Sequence, residues 1–286
     1  MKLKFHSWIR HLFFTCLLLG SAITAGQSSA GAKLEEIFQS GELRVSVFFE
    51  DVAPFFYTDE ASGFVGIDPD ISRDISSKLG VDVTFVRSAE TFDGIVDEVL
   101  EGRADVAISL LSDTLERARR VSFTNSYVSV RQFLLLNRLK LGELRSANNT
   151  GGPIEQQLNT EKAKIGVIAG TSYVGFAHEE FPRADVVEFD GWPEMLAGLK
   201  EGNLVALMYD EIEIGNWRLS DPAGAVELRA YHLAGRPDTI AIAVHPDDTD
   251  LLNWINLYLK KLRDSGELEI LLKNYLYTDE RGLSFD

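Results

Sequence analysis

The stretch DVAISLLSDTLERAR (105–119) carries the reading from which the rest of the chain is ordered. Its first half, with Ala104 ahead of it, is an apolar run of the kind a strand shows when both faces of its sheet are covered. At Ser109 the run breaks into a turn rich in hydroxyls and Asp, and a helix is expected from about Thr114 to Arg120. Asp113 followed three residues later by Glu116 fits a capping box. Such a turn offers free backbone N–H groups and the Ser112 hydroxyl at a helix N-terminus, a natural anion site. Arg117 lies in the first turn, where its fork can grip a carboxylate with two bonds. On these residues alone, a capped surface helix with a solvated arginine remains the simpler reading.

The same alternation extends to both sides. Upstream, LRVSVFF (43–49) and VDVTFV (81–86) read as strands, and IDPDISRDISSKLG (67–80) and FDGIVDEVLEG (92–102) as helices stopped by Gly80 and Gly102. Apolar strands alternating with amphipathic helices predict a mostly parallel sheet flanked by helices. Downstream, FLLLNR (133–138) is a further strand. The polar segment 142–164, with Asn148-Asn149-Thr150-Gly151-Gly152-Pro153, carries the strongest loop signal. A second series follows: KIGVIAG, a helix through Phe181, DVVEFD, the helix PEMLAGLKEG, VALMYD and another helix. TIAIAVHP, after Asp238, gives one more strand, and the tail from Asp248 to Tyr277 has helical spacing broken at Ser265-Gly266. Two series imply two similar lobes. The strands at 133–138 and 239–245 would cross between them, and two crossings make a hinge.

An apolar content of 45% against 25% charged residues is that of a folded globular chain. Residues 1–25 read as an export signal, with Lys2, Lys4 and Arg10 ahead of an apolar run from Leu12 to Ile23 and cleavage after Ala25 or as late as Ala30. Cys16, the only cysteine, lies inside that run, so the mature chain is expected to hold neither a disulfide nor a lipid anchor. The formal charge of −16 argues against nucleic acid and anionic lipid as partners. Loss of the leader removes three basic residues and no acidic one. The five histidines are scattered, and no metal-spaced cluster, P-loop or G-x-G-x-x-G occurs. GTSYVG (170–175) places its second glycine one residue too far for a nucleophile elbow. Neither a cofactor, a metal nor a catalytic residue is expected.

The turn after Asp105 resembles that of the periplasmic amino-acid-binding proteins of ABC transporters, solute-binding protein family 3. Their loop reads roughly D-x-x-x-[SG]-x-[TS]-x-T-x-x-R, matched here by Asp105, Ser109, Ser112, Thr114 and Arg117, with Phe123-Thr124-Asn125-Ser126-Tyr127 after it. Ala53-Pro54-Phe55 is similar to the family's P-P-F. Gly66-Ile67-Asp68-Pro69-Asp70 is similar to its G-F-D-x-D, and Phe92-Asp93-Gly94-Ile95 to its aromatic-x-x-L helix. The resemblance implies an α/β, two-lobed type II periplasmic-binding fold, each lobe a mostly parallel sheet flanked by helices and joined by a two-strand hinge. Lobe 1 would hold 33–131 and 240–286, and lobe 2 would hold 132–239.

It also implies a site. Arg117 would grip a ligand α-carboxylate, assisted by Ser112 and by the loop Gly170-Thr171-Ser172, and Asp210 would pair with the α-ammonium. Phe92 would stack on the ligand, and Phe49, Val52, Leu110, Ile168 and Tyr209 would set side-chain selectivity. Asp210 read without the family is a helix N-cap, and Phe92 a core residue. Here the sequence departs from the family: Val52 replaces a common aromatic, Leu110 a Gly or Ser, and Phe49 stands where binders of basic amino acids carry Asp. A wall without a carboxylate disfavours lysine or arginine, so an uncharged, apolar or bulky ligand is expected. The implied protein is a monomer in the periplasm that delivers a small amino-acid-like molecule to a membrane permease. Two rivals stay open: a secreted prephenate- or arogenate-type dehydratase, for which Glu50, Asp51 and Glu179 are the nearest spare acids, and a receptor subunit reporting ligand occupancy.

Overall fold

The computed structural model describes residues 32–148, 151–235 and 237–276; the expected export signal lies outside them. The first part of the chain runs α1 (Ala32–Ser40), β1 (Glu42–Ser46), β2 (Tyr57–Asp59), β3 (Gly63–Val65), α2 (Ile67–Leu79), β4 (Asp82–Val86), α3 (Phe92–Leu100) and β5 (Val106–Ala107). After a 3-10 turn at Arg117–Arg119 come β6 (Ser122–Phe123), β7 (Val128–Val130), β8 (Gln132–Asn137), α4 (Arg138–Asn148) and α5 (Ile154–Leu158). The second series is β9 (Lys164–Ile168), α6 (Ser172–Glu180), β10 (Asp185–Phe189), α7 (Trp192–Lys200), β11 (Ala206–Asp210), α8 (Glu211–Ser220), α9 (Gly224–Glu227) and β12 (Leu228–His232). The chain then makes β13 (Asp238–Ile240), β14 (Ala243–Val244), α10 (Thr249–Asp264) and α11 (Glu267–Leu276).

Two five-stranded sheets result, ordered β4-β1-β5-β14-β6 and β10-β9-β11-β8-β12. In each, the first strand of a βα series sits between the second and the third, all parallel; one antiparallel strand, β14 or β8, follows, and an edge strand, β6 or β12, pairs antiparallel to it. The apolar stripes explain the packing. Ile67, Ile71, Ile75 and Leu79 recur every four residues along α2 and are buried in one core with Leu43, Val45, Ile255 and Leu259. Burial of each such side chain is worth about 1.5–3 kcal/mol over leaving it exposed. A separate core joins Leu134, Leu136, Ile165, Val167, Ala206 and Met208 beneath α4 and α6. Gly66, which leads into α2, has φ 129°, and a Cβ there would lie 2.3 Å from the Phe55 carbonyl oxygen. Only glycine lets the backbone pass that close.

Several sequence-based expectations are corrected. The strand at 133–138 does not cross between the sheets: as β8 it is an internal strand of the second sheet, antiparallel to β11 and β12. The expected strand 239–245 divides into β13 and β14. The two connecting strands are β7 and β13, antiparallel to one another with Asp238 opposite Val130. The loop in segment 142–164 is shorter than expected. The segment carries the end of α4, which the Asn137 side chain starts by accepting the Lys140 N–H at 3.0 Å, and all of α5; buried Leu141, Leu144, Ile154 and Leu158 hold them. Residues 151–153, inside the strongest loop signal, are neither helix nor strand. The helix expected at 114–120 is only the 3-10 turn, and its capping box does not form. Thr114 Oγ1 accepts the Arg117 N–H at 3.2 Å, while Asp113 is drawn away to accept from the Thr239 hydroxyl.

Candidate functional site

Residues from both sheets and from the connecting strands converge on one narrow cavity, with about 300 Å³ of empty space that is partly open to solvent. Of the twelve side chains singled out from sequence, Phe92, Leu110, Ser112, Arg117, Thr171, Ser172, Tyr209 and Asp210 line it. Gly170 lies at its edge through its carbonyl, which accepts from Arg117 Nη2 at 3.4 Å. Phe49, Val52 and Ile168 are not on its wall. Phe49 is largely exposed, edge-on to Phe48, Val52 bridges to Phe56, and Ile168 packs beneath the second sheet. Glu50, Asp51 and Glu179 do not line the cavity either, and Asp51 is paired with Arg87 at 2.8 Å.

The first wall hangs from β5. Leu110 takes φ 47°, a left-handed conformation costing a non-glycine residue about 1–2 kcal/mol. Asp68, fully buried at the start of α2, holds it there: one carboxylate oxygen accepts the Leu110 N–H and the other the Tyr127 hydroxyl, each at 2.7 Å. Burial pushes the Asp68 carboxyl up to about 7 against the pull of those two bonds. The bend turns Ser112 and Arg117 into the cavity. Arg117 is 4% exposed; its Nε donates to Asp93 Oδ1 at 2.9 Å and its Nη1 to the Ser112 carbonyl at 3.2 Å.

The second wall starts at α6. Thr171 is its N-cap residue, but its hydroxyl donates back to the Ile168 carbonyl at 2.7 Å, and no side chain caps the helix. In the first turn the Val174 N–H donates to the Thr171 carbonyl at 3.4 Å, which leaves the Ser172 and Tyr173 amides for an anion. Asp210, 4% exposed at the end of β11, caps α8 by accepting the Glu213 N–H at 2.8 Å and lines the cavity as well. The N-cap and cavity readings of this residue both hold. Burial pushes its carboxyl up to about 6, and burial with the Asp210 charge pushes Glu213 up to about 7.

Three cavity residues were missed from sequence: Val130, Tyr173 and Asp238. Asp238 opens β13 and is 3% exposed. Its Oδ2 accepts the Ser112 hydroxyl at 2.9 Å, and the Ser112 and Ser172 oxygens are 2.8 Å apart. Since the single Ser112 proton goes to Asp238, Ser172 is the donor between the two serines. Burial, reinforced by Asp210, raises the Asp238 carboxyl to about 7. The expectation of a wall without a carboxylate is therefore wrong. The acid comes from a connecting strand, whose place at the cleft is invisible until the chain has folded. A charged residue opening an otherwise apolar strand was the available signal.

Contacts between the two sheet-bearing halves surround the cavity. Besides Ser112–Ser172 and Arg117–Gly170, Asn216 Nδ2 donates to the Ala53 carbonyl at 2.8 Å. Gly170 has φ 68° and lies so close that a Cβ there would be 2.9 Å from Thr91 Cβ.

The chain is similar to known binding proteins over most of its length. The lysine/arginine/ornithine-binding periplasmic protein of Escherichia coli (strain K12) is 24% identical over 90% of this chain and 95% of its own length. The ABC transporter glutamine-binding protein of Bacillus subtilis (strain 168) is 26% identical over 98% of this chain and 99% of its own. Among solved structures, a mutant of ArgBP from T. maritima is similar, with a TM-score of 0.68 and 26% identity over 86% of this chain and all of that one. The family model for bacterial extracellular solute-binding proteins, family 3, matches residues 45–278. With its two sheets, its paired connecting strands and that match, the chain belongs to the bacterial extracellular solute-binding proteins, family 3.

Proposed function

We propose that the protein clamps a single amino-acid-like ligand between two lobes, 33–131 with 240–286 and 132–239, and hands it to the permease of an ABC transporter from the periplasm. The observation that carries this reading is that Arg117 and Asp210, both buried, enter one cavity from different sheets. A zwitterion needs a donor set at one pole and an acceptor at the other. Arg117 with the free amides at the start of α6 supplies the first, and Asp210 the second. Because the poles belong to different lobes, only the closed arrangement satisfies both charges of the ligand. That difference in affinity is what drives a closure equilibrium. The strands β7 and β13 would serve as the hinge.

Binding without turnover is the reading favoured here, since the curated relatives named above are binding proteins. A thermal-shift screen over the amino acids and common organic acids, followed by calorimetry, tests it: at least one amino acid should bind with one-to-one stoichiometry. Failure of every amino acid to bind would overturn the reading. Depletion of prephenate or arogenate by the purified protein would replace it with an enzyme on the same fold.

A further inference from the structure

Three charged side chains line the cavity, Arg117, Asp210 and Asp238, and they do not balance around a simple zwitterion. Arg117 already meets one carboxylate, Asp93, which reaches its Nε from the half-exposed start of α3. A ligand with one carboxylate and one ammonium group would engage Arg117 and Asp210 and leave Asp238 unmatched. Asp238 sits in a strand paired to β7, it is 3% exposed, and its Oδ2 is bonded to the Ser112 hydroxyl. Among the described residues no lysine and no second arginine lines the cavity with it. A buried carboxylate without a counter-charge is strongly unfavourable, so a neutral ligand would oblige Asp238 to keep a proton.

A second observation falls on the same wall. Tyr173, 3% exposed in the first turn of α6, lines the cavity, and its hydroxyl has no partner among the described residues. Burial, then the charges of Asp238 and Asp210, hold this phenol protonated. A buried hydroxyl with nothing to bond is costly unless a ligand group meets it. Tyr173 also stacks on Tyr209 at 4.8 Å, and the rings of Tyr209 and Phe92 belong to the cavity wall. Aromatic faces attract cations.

We propose that the ligand carries a second basic nitrogen, and so a net positive charge, and that Asp238 receives that nitrogen with the Tyr173 hydroxyl as a neighbouring acceptor. The inference rests on the amino-acid reading above and narrows it to 2-amino acids ending in an amine or a guanidine. Titration calorimetry at pH 8 with arginine, lysine, ornithine, glutamine, leucine and glutamate tests it on the wild type, Asp238→Asn and Tyr173→Phe. In the wild type, one cationic member should bind at least about tenfold tighter than any neutral one. Asp238→Asn should weaken that cation at least about tenfold and leave neutral ligands within about threefold. Tyr173→Phe should weaken the cation by a smaller factor without lowering the apo melting temperature. A wild type that prefers glutamine, leucine or glutamate, or an Asp238→Asn variant that keeps the cation preference, overturns the proposal and leaves the amino-acid reading intact. If Asp238→Asn fails to fold, the wild-type ranking and Tyr173→Phe decide. Binding of none of the six removes both.

Discussion

Replacing Arg117 by alanine separates binding from folding. Its fork makes three bonds, to Asp93, to the Ser112 carbonyl and to the Gly170 carbonyl. Asp93 is half exposed, so water takes over its bond at little cost. The two carbonyls lose long hydrogen bonds, 3.2 and 3.4 Å, worth about 0.5–1 kcal/mol each. The apo protein should thus lose about 1–2 kcal/mol, a fall in Tm of about 2–8 °C at this size. Ligand binding loses far more, because the α-carboxylate would enter the closed cavity without the Arg117 guanidinium, the one cation among the described residues of its wall. Truncating one member of a buried charge pair costs about 2–5 kcal/mol, which raises Kd by about 30- to 5,000-fold. Arg117→Lys keeps the charge but not the two-bond fork and should fall between. Calorimetry gives Kd, and thermal melts with and without ligand give the two stabilities. An alanine variant that binds within about threefold of wild type would refute the clamp, whatever its melting temperature.

Three further outcomes follow from the geometry. Asp68→Ala should cost about 2–5 kcal/mol, because the Leu110 N–H and the Tyr127 hydroxyl would both be buried without a partner. Asp68→Asn should cost less, since its amide can keep both bonds once the tyrosine hydroxyl rotates to accept; equal losses in chemical denaturation would contradict this account. Gly170→Ala places a Cβ in a left-handed position and against Thr91. It should weaken ligand affinity by about tenfold and enlarge the radius of gyration of the ligand-saturated protein in X-ray scattering, and an unchanged radius would count against closure at this contact. Asp68, Asp210, Glu213 and Asp238 are all raised by burial, to between about 6 and 7. Their contribution to stability is present below the ordinary carboxyl range and is lost as pH rises through 6 to 7. The apo melting temperature should therefore fall between pH 5 and 8 at constant ionic strength, and a rise would reverse the sign of the argument. Affinity for a cationic ligand should move the opposite way, since the cation binds the ionised acids.

Much of the site was legible because the motifs that resemble the family are local. The turn after β5, the Gly170-Thr171-Ser172 loop and Asp210 each sit where a strand hands over to a following segment, and strand ends are marked by composition. The helices α2, α10 and α11 and the break at Ser265-Gly266 follow from periodicity alone. What escaped was long-range. Nothing near 133–138 says that this strand belongs inside the second sheet, because its partners β11 and β12 lie seventy to ninety-nine residues further along. The loop at 151–153 is shorter than the polar composition of 142–164 suggests, because Leu144 on α4 and Ile154 on α5 are buried in the core of the second sheet.

The sequence by itself determined the two βα series, since each is written in a short window of residue types and spacing, while the roles of Arg117 and Asp210 came from the family resemblance of the turns that carry them. Only the tertiary structure decided which strands connect the two halves, which of the expected side chains reach the cavity, and that Asp238 and Tyr173 stand there with them. Those outcomes depend on β7 pairing with β13 across more than a hundred residues. Distance in space, which sets the charge a buried cavity must balance, is not a property of any local window.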